Sequence, residues 1–327
     1  DVDTGSSGSF KSNPVTFSVS GSGVVITKEG VLTFSPAADF ETKKSHVVVV
    51  TATDGANTTT QEITITVIDA NDNAPVFTSG TEFTINENET AVGTVTATDV
   101  DTGSTGAVKS NPVTYSVSGS DFAINASSGV LTLATAADYE TKTSYTATVT
   151  ATDGTNSTTQ DITLTIVDLN DNAPVFTSSA AFGVIENNTE IGTVTATDVD
   201  TGSSGSFKSN PVTYSVSGTE LSVNATTGAL SFITAADYET KISYTATVTA
   251  TDGTNSTTQD VTISVNDLND NAPVFTSAAS ASFAENATGV VMTVKATDVD
   301  TSSNNDFQSN PVRYSITGST KFMINTS

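Results

Sequence analysis

A seven-residue motif rich in aspartate and asparagine recurs at a fixed interval along the chain. "DANDNAP" occupies residues 69–75, and "DLNDNAP" occupies residues 168–174 and 267–273. Each copy lies 99 residues after the one before it. A period of this length divides the chain into repeated units that are each long enough to bury a small core of their own.

A second stretch sets the phase of the repeat and its boundaries. The tripeptide "DVD" begins at residues 1, 99, 198 and 298, and each copy leads into a segment that contains "SNPV". We predict four tandem repeats at 1–73, 74–172, 173–271 and 272–327. Because "DVD" stands at residue 1, repeat 1 is expected to lack its opening strands, and repeat 4 is expected to lack its closing ones, as in a segment of a longer chain.

Composition excludes several classes of function and of metal site. The chain has 36 acidic and 11 basic residues and a formal charge of −25, so it lacks the basic surface that nucleic-acid binding requires. It has no cysteine and a single histidine, His46, which excludes disulfides and metal sites built from cysteine and histidine. No stretch approaches the roughly 18 to 20 apolar residues of a membrane helix. Any metal site must therefore use oxygen ligands.

Apolar residues alternate with threonine along two segments of repeat 2, with the period of a β-strand rather than of a helix. These apolar positions are Tyr145, Ala147, Val149, Ala151, Ile162, Leu164 and Ile166. Seven strands are predicted in this repeat, at about 76–86, 92–98, 113–118, 121–125, 130–134, 144–152 and 159–168. The sequence therefore predicts an all-β protein of tandem seven-stranded Greek-key β-sandwiches of the immunoglobulin type.

Acidic residues recur at four places in the repeat, each next to a predicted turn. The signatures are "xEN" after strand one, "DVD" after strand two, "ADFE" or "ADYE" before strand six, and "TDG" between strands six and seven. Alternate turns of a Greek-key sandwich lie at opposite ends, so "xEN" and "ADYE" of repeat 2 should meet "DVD" and "TDG" of repeat 3 around the linker. Carboxylates about 4 Å apart repel by about 4 kcal/mol per pair at an effective dielectric near 20. A cation is therefore required, and oxygen ligands in irregular loops suit Ca2+ better than Mg2+.

The succession of "xEN", "DVD", "ADYE" and "DLNDNAPVF" on a repeat of this length resembles the extracellular cadherin repeat. The resemblance covers the whole chain, with a partial repeat at each end. It implies sandwiches joined end to end by calcium-binding linkers, with about three Ca2+ ions at each complete junction. It also implies an extracellular segment, without membrane contact of its own, of a secreted or surface-anchored parent.

The resemblance also assigns ligands. Between repeats 2 and 3, the first ion would be held by Glu87, Asp138, Glu140 and Asp171, and the second by Glu87, Glu140, Asp168, Asp171, Asp200 and the Leu169 carbonyl. The third would be held by Asn170, Asp198, Asp200, Asp252 and carbonyls of Asn172 and Asn210. The ligands between repeats 1 and 2 would be Asp39, Glu41, Asp69, Asn71, Asp72, Asn73, Asp99, Asp101, Asn111 and Asp153. Those between repeats 3 and 4 would be Glu186, Asp237, Glu239, Asp267, Asn269, Asp270, Asn271, Asp298, Asp300 and Asn310. Only the middle junction is expected to be complete.

Other interpretations of the same residues are weaker. A single Asp-Asn-Pro cluster is ordinary turn chemistry, but four signatures that recur in phase are not. "DVDTG" resembles the beginning of an EF-hand loop, yet the later acidic ligands and the flanking helices are missing. Paired carboxylates occur in glycosidases, but a catalytic pair is not expected every 99 residues, so we predict no enzyme. Lys142 and Lys241 are interpreted as solvated charges that soften the acidic field, and His46 as a strand residue.

Several functions suit tandem sandwiches that bind calcium. The near identity of the repeats favours a calcium-rigidified stalk or spacer of a cell-surface adhesin. The alternatives are repeats that pair directly with copies of themselves or with a surface receptor, and a self-assembling extracellular filament. The chain has no tryptophan, so strand exchange through an N-terminal tryptophan is excluded. Such uniform copying favours a large microbial adhesin over an animal surface protein.

Overall fold

The computed structural model describes residues 14–101, 112–200, 211–300, 312–318 and 321–324. Every regular element in these ranges is a β-strand, which confirms the predicted all-β class. The predicted ligands Asn111, Asn210 and Asn310 lie outside the described residues. The chain divides into two compact units, residues 1–167 and 168–327.

The strands of the first compact unit belong to predicted repeats 1 and 2. In repeat 1 they are β1 (Thr16–Ser20), β2 (Val24–Ile26), β3 (Leu32–Phe34), β4 (Ser45–Thr53) and β5 (Thr58–Thr66). In repeat 2 they are β6 (Val76–Phe77), β7 (Glu82–Asn86), β8 (Ala91–Thr94), β9 (Ala97–Thr98), β10 (Thr114–Val117), β11 (Phe122–Ile124), β12 (Val130–Leu133), β13 (Ser144–Thr152) and β14 (Ser157–Val167).

The strands of the second compact unit follow the same order. In repeat 3 they are β15 (Val175–Phe176), β16 (Ala181–Ile185), β17 (Glu190–Thr193), β18 (Ala196–Thr197), β19 (Thr213–Val216), β20 (Leu221–Val223), β21 (Ala229–Phe232), β22 (Ser243–Thr251) and β23 (Ser256–Asn266). The described part of repeat 4 has β24 (Val274–Phe275) and β25 (Ala296–Thr297). The spacing of the repeat in the sequence is thus also the spacing of its strands.

Two sheets pack face to face in repeat 2. One has the strand order β10-β13-β14-β7, and the other has the order β11-β12-β8 with the separate short pair β6-β9. Strands β13 and β14 form an antiparallel hairpin, while β7 runs parallel to β14. Repeat 3 has the corresponding sheets β19-β22-β23-β16, β20-β21-β17 and β15-β18. This is the predicted sandwich, with each long hairpin at the centre of its sheet.

The core lies between the two sheets and uses the predicted alternation. Val149 on β13 and Leu164 on β14 are fully buried, and Leu131 on β12 meets them from the other sheet. A Leu, Ile or Val side chain buried to this extent contributes about 1.5 to 3 kcal/mol relative to exposure. Repeat 3 repeats the packing with Val248, Ile263 and Leu230. Repeats 2 and 3 therefore each hold a core of their own, as their length suggested.

The first two predicted strands of repeat 2 are each divided in two, which corrects the predicted bounds 76–86 and 92–98. Strand β6 pairs antiparallel with β9, whereas β7 pairs in parallel with β14 in the opposite sheet. A chain that changes sheets must leave one hydrogen-bond ladder before it joins the next. It does so at Ser79 and Gly80, where the Gln160 side-chain amide donates to the Gly80 carbonyl at 3.0 Å. The last strand also begins at 157 rather than 159.

Candidate metal centre

Carboxylates from three separate segments converge in the first compact unit. Glu41 in the loop before β4, Asp69 in the linker and Asp101 after β9 each place a carboxylate oxygen within 4.8 Å of the other two. Asp101 forms a second group of the same kind with Asp99 and Asp153. The structure thus brings acidic residues of repeats 1 and 2 together at the linker, and their role as calcium ligands stays a prediction.

We call the end of a sandwich that carries "DVD" and "TDG" its upstream end. There the carboxylates are met by N–H donors. The Asn73 backbone donates to Asp101 Oδ2 at 2.7 Å, and its side-chain Nδ2 donates to Asp101 Oδ1 at 2.9 Å. Asn172 holds Asp200 with the same two bonds in the second compact unit, at 2.8 and 2.9 Å. Asn271 repeats them with Asp300, at 2.9 Å each.

The aspartate of the "TDG" turn is also held by the backbone. Thr155 N and Asn156 N donate to Asp153 Oδ1 at 2.6 and 2.7 Å. Burial by itself raises the pKa of Asp153, but these hydrogen bonds outweigh it and the pKa is lowered overall. Asp252 has the same arrangement and a pKa that is lowered for the same reasons. These two carboxylates are therefore kept ionised by the protein itself.

Asp198, also at the upstream end, has the opposite tendency. Its burial, followed by the negative charges of Asp200 and Asp252, raises its pKa, although the Asp200 N–H donates to its Oδ1. Its other oxygen, Oδ2, is buried, and the described residues offer that atom no hydrogen bond. Asp99 Oδ2 is in the same situation in the first compact unit. A buried carboxylate oxygen without a donor is costly unless a cation or proton meets it.

We call the end that carries "xEN" and "ADYE" the downstream end. Glu87 is 2% exposed and accepts a hydrogen bond from Tyr139 N at 3.0 Å, and it forms a group within 4.8 Å with Asp138 and Glu140. The equivalent Glu186, grouped with Asp237 and Glu239, accepts from Tyr238 N and from Leu268 N of the next linker, both at 2.7 Å. The linker is thus tied to the sandwich that precedes it.

The pKa values of the two carboxylates in the "ADFE" or "ADYE" loop shift in opposite directions in repeat 1. Thr42 donates to Asp39 through both its N–H and its hydroxyl, and Asp39 consequently has a lowered pKa. Partial desolvation, followed by the charges of Asp101, Asp69 and Asp39, raises the pKa of Glu41. The pKa of Glu239 is raised in the same way, by partial desolvation and by the charges of Glu186, Asp267 and Asp300. Glu41 and Glu239 therefore each carry a charge that nearby carboxylates oppose.

Most of the remaining predicted ligands lie in the linkers, and Asp298 and Asp300 follow β25. Asn73 Nδ2 donates to Asp72 Oδ1 at 3.0 Å and Asn172 Nδ2 donates to Asp171 Oδ1 at 2.8 Å. Asn187 Nδ2 donates to Asp270 Oδ2 at 2.5 Å, and Asp300 N donates to Asp298 Oδ1 at 3.4 Å. Asn269 is exposed and Asp168 is buried. That Glu87, Asp138 and Glu140 join Asp168, Asp171, Asp198, Asp200 and Asp252 in one cage stays a prediction.

The donor set fits a calcium ion. All of the convergent atoms are oxygens, and ligands about 2.4 Å from one ion lie at most about 4.8 Å apart, the limit within which these groups fall. The Asn170 side-chain oxygen lies 2.8 Å from Asp252 Oδ2 and 3.2 Å from Asp200 Oδ2. Reversing that amide would relieve the contacts between acceptors, but would turn its nitrogen toward the donor Asn255 Nδ2, 3.0 Å away. A cation between the Asn170 oxygen and the two aspartate oxygens would satisfy all three atoms with the amide in its present orientation.

Sequence reasoning missed several residues that organise the site. Asn156 and Asn255 follow "DGT" and donate to linker asparagines; the recurring "TDGTN" was the available signal. Asn88 has a positive φ of 66°, a conformation that asparagine tolerates and that turns the chain directly after Glu87. Lys142 is not simply a solvated charge, because its Nζ lies 2.7 Å from Asp121 Oδ2 and 4.0 Å from the Tyr145 ring centroid.

Lys241 is likewise not simply a solvated charge, because its Nζ lies 2.7 Å from Glu220 Oε1 and 4.2 Å from the ring centroid of Tyr244. His46 lies on strand β4, as expected, and packs edge-on against Phe34 with ring centroids 4.9 Å apart.

Comparison with known proteins identifies the family. The profile of the cadherin domain matches residues 81–167 and 181–266, which together make up more than half of the chain. The chain belongs to the cadherin family. This confirms the resemblance and the tandem sandwich fold, and it places the chain among structural adhesion modules rather than enzymes.

The chain is similar to human Protocadherin Fat 4, with 35% identity over 263 residues, 75% of this chain and 5% of that protein. Among solved structures it is similar to the protocadherin gammaB7 EC3-6 cis-dimer, with a TM-score of 0.64, 30% identity, and 81% of this chain and 70% of that chain covered. The extracellular cadherin domains 3-6 of protocadherin gamma B2 match with a TM-score of 0.60 and 28% identity, over 79% of this chain and 68% of that chain.

A microbial origin for the parent stays a prediction. Among the described residues, none belongs to a helix long and apolar enough to cross a membrane.

Proposed function

We propose that this chain is a spacer segment of an extracellular, calcium-dependent cell-adhesion protein, in which Ca2+ at each linker stiffens the connection between successive sandwiches. The observation that carries the proposal is the group formed by Glu41, Asp69 and Asp101. Carboxylate oxygens from repeat 1, the linker and repeat 2 lie within 4.8 Å of one another in this group. An ion in this group attracts all three carboxylates at once. Its binding energy therefore opposes bending at the linker.

Bound Ca2+ would supply the positive charge that offsets the repulsion within each group. The chain's own residues hold the ligands in place beforehand. Asn73 orients both oxygens of Asp101, Tyr139 N orients Glu87, and Thr42 orients Asp39. We propose about three ions for each complete junction, with the ligand sets that the cadherin resemblance implies, and a parent that is secreted or surface-anchored through other residues.

Calcium titration of the whole chain tests the proposal. We expect calorimetry to detect several ions per chain, and small-angle scattering to show a longer and stiffer particle in calcium than in EGTA. Asp171→Asn should raise the calcium concentration required, since it removes a linker carboxylate. An unchanged scattering profile in EGTA contradicts the stiffening, and unaltered calcium binding by Asp171→Asn contradicts the ligand assignment.

A second candidate function is direct pairing with another copy of the chain. It is favoured by the similarity to protocadherin gammaB7, whose structure is described as a cis-dimer. Sedimentation in calcium separates the two functions. A dimer whose population rises with concentration supports pairing, whereas a monomer at all concentrations supports the spacer.

A further inference from the structure

The turn between β13 and β14 places one asparagine amide in a fixed position. Thr152 Oγ1 donates to the carbonyl of Asn156 at 2.7 Å, and Asn156 N donates to Asp153 Oδ1 at 2.7 Å. Gly154, with φ +94°, allows the tight bend between them. The backbone of Asn156 is thus held on both sides, which limits where its side chain can point.

The side chain of Asn156 bridges the turn and the linker. Its Nδ2 lies 3.0 Å from Asn71 Oδ1 and 3.3 Å from the Asn71 carbonyl oxygen, and 3.4 Å from Asp153 Oδ2. Asn71 is 85 positions earlier in the chain, and it is a predicted calcium ligand, as is Asp153. One amide nitrogen therefore contacts a ligand on each side of the site.

The second compact unit contains the same bridge. Asn255 Nδ2 lies 3.0 Å from Asn170 Oδ1, 3.2 Å from the Asn170 carbonyl and 3.5 Å from Asp252 Oδ2. Asn170 is also held at its other side-chain atom, because its Nδ2 donates to Thr254 Oγ1 at 3.3 Å. With the amide in this orientation, the Asn170 oxygen lies 2.8 Å from Asp252 Oδ2 and 3.2 Å from Asp200 Oδ2, a placement that a cation between them would satisfy.

Repeat 1 provides an internal comparison. Asn57 occupies the same place after "DG", and its Nδ2 donates to Asp54 Oδ2 at 3.2 Å. The bond between the turn asparagine and the turn aspartate thus recurs in repeats 1, 2 and 3. No asparagine of this chain stands 85 positions before Asn57, so Asn57→Ala removes the bond within the turn alone.

We propose that Asn156 and Asn255 are positioning residues for the calcium ion nearest the "TDG" turn. Each donates to a linker asparagine and so holds that ligand's oxygens toward the turn and "DVD" carboxylates. A carbonyl oxygen has two lone pairs, so an oxygen that accepts from the positioning amide keeps one for a cation. The inference rests on the proposed calcium function. Supporting groups of this kind typically change metal affinity by about 10-fold to 100-fold.

The experiment is a calcium titration of the full chain by calorimetry, on the wild type, Asn156→Ala, Asn71→Ala and the Asn71→Ala/Asn156→Ala pair, with Asn57→Ala as the matched control. We expect Asn156→Ala to weaken one site by about tenfold and Asn57→Ala to change no calcium affinity. If Asn156 acts through Asn71, the Asn71→Ala/Asn156→Ala pair should bind calcium almost as tightly as Asn71→Ala alone.

Thermal unfolding in EGTA and in calcium separates positioning from simple stability. Asn156→Ala should reduce the stabilisation that calcium adds more than it reduces stability in EGTA. Additive losses in the Asn71 and Asn156 pair, or an equal loss of affinity in Asn57→Ala, would overturn the inference. A wild-type chain that binds no calcium would overturn the proposed function instead, so the two failures are distinct.

Discussion

The upstream and downstream ends of the sandwich carry similar numbers of carboxylates but neutralise them differently. At the upstream end Asp101 accepts two hydrogen bonds from Asn73, and Asp153 accepts two from the backbone of its turn. At the downstream end partial desolvation, followed by the negative charges of nearby carboxylates, raises the pKa of Glu41 and of Glu239. The "TDG" aspartates and the second "DVD" aspartates are thus held by protein donors, whereas Glu41 and Glu239 of the downstream loops depend on a cation, as Asp198 does at the upstream end.

The largest effect should come from Asp101→Asn at the upstream end. Asp101 belongs to two of the groups that could hold an ion and is 5% exposed. The amide would turn a nitrogen toward the donors of Asn73, so we expect weaker binding of two ions and a loss of about 2 kcal/mol even in EGTA. Calorimetric titration and thermal unfolding measure the two losses. The matched control is Asp3→Asn, the same position of "DVD" in repeat 1; if it has an equal effect, the comparison fails.

Glu41→Gln at the downstream end should separate calcium affinity from stability in EGTA. Calcium affinity should fall by about tenfold or more, because a charged ligand is lost from the group. Stability in EGTA should stay the same or rise, because the negative charges of Asp69 and Asp101 then face a neutral group. Thermal unfolding in EGTA is the deciding measurement. A loss of stability there as large as that of Asp101→Asn would show that the two ends are alike.

Without calcium, the pH dependence of stability should also differ between the ends. Raised pKa values at Glu41 and Glu239 mean that the folded chain binds more protons than the unfolded chain just above pH 4.5. Their contribution to stability therefore rises as the pH falls into that window. The lowered pKa values of Asp153 and Asp252 act in the opposite sense, and their contribution is lost only below the ordinary aspartate value of 3.8.

Thermal unfolding between pH 7 and pH 4.5, in buffers freed of calcium beforehand, tests this, with the Glu41→Gln/Glu239→Gln double variant as the control. The wild type should gain more stability than the double variant as the pH falls. Parallel curves would contradict the assignment of the effect to these two glutamates.

The smallest effect should come from Lys142→Met. Its ion pair with Asp121 is about half exposed, and such pairs contribute about 0.2 to 1 kcal/mol. Because Lys142 is paired away from the predicted ligands, calcium affinity should be unchanged. A clear increase in calcium affinity would support the earlier interpretation that this lysine softens the acidic field.

Much of the sandwich could be predicted from local pattern. The alternation of Val149 and Ala151 with threonine located strand β13 at its observed bounds, since period two depends only on which side chains face the core. The division of strand one at Ser79 and Gly80 could not be predicted in this way. It arises because the chain changes partners from β9 to β14, and a change of partner leaves little trace in local sequence.

The candidate site could also be predicted only in part from the sequence. The acidic positions are visible because each recurs in phase, but the role of Asn156 is not, because an asparagine after Asp-Gly is ordinary turn chemistry. Its partner, Asn71, is 85 positions away. Lys142 was misread for the same reason, since its partner Asp121 lies on another turn of the sandwich.

The sequence by itself determined the repeat length, the β-sandwich class, the restriction to oxygen ligands and the positions of the carboxylates, because each follows from composition or from a period. Only the tertiary structure decided which carboxylates are met by donors and which oppose one another. Asn73 reaches Asp101 across 28 positions, and Tyr139 N reaches Glu87 across 52. The orientation of a carboxylate depends on such distant donors, and packing alone brings them together.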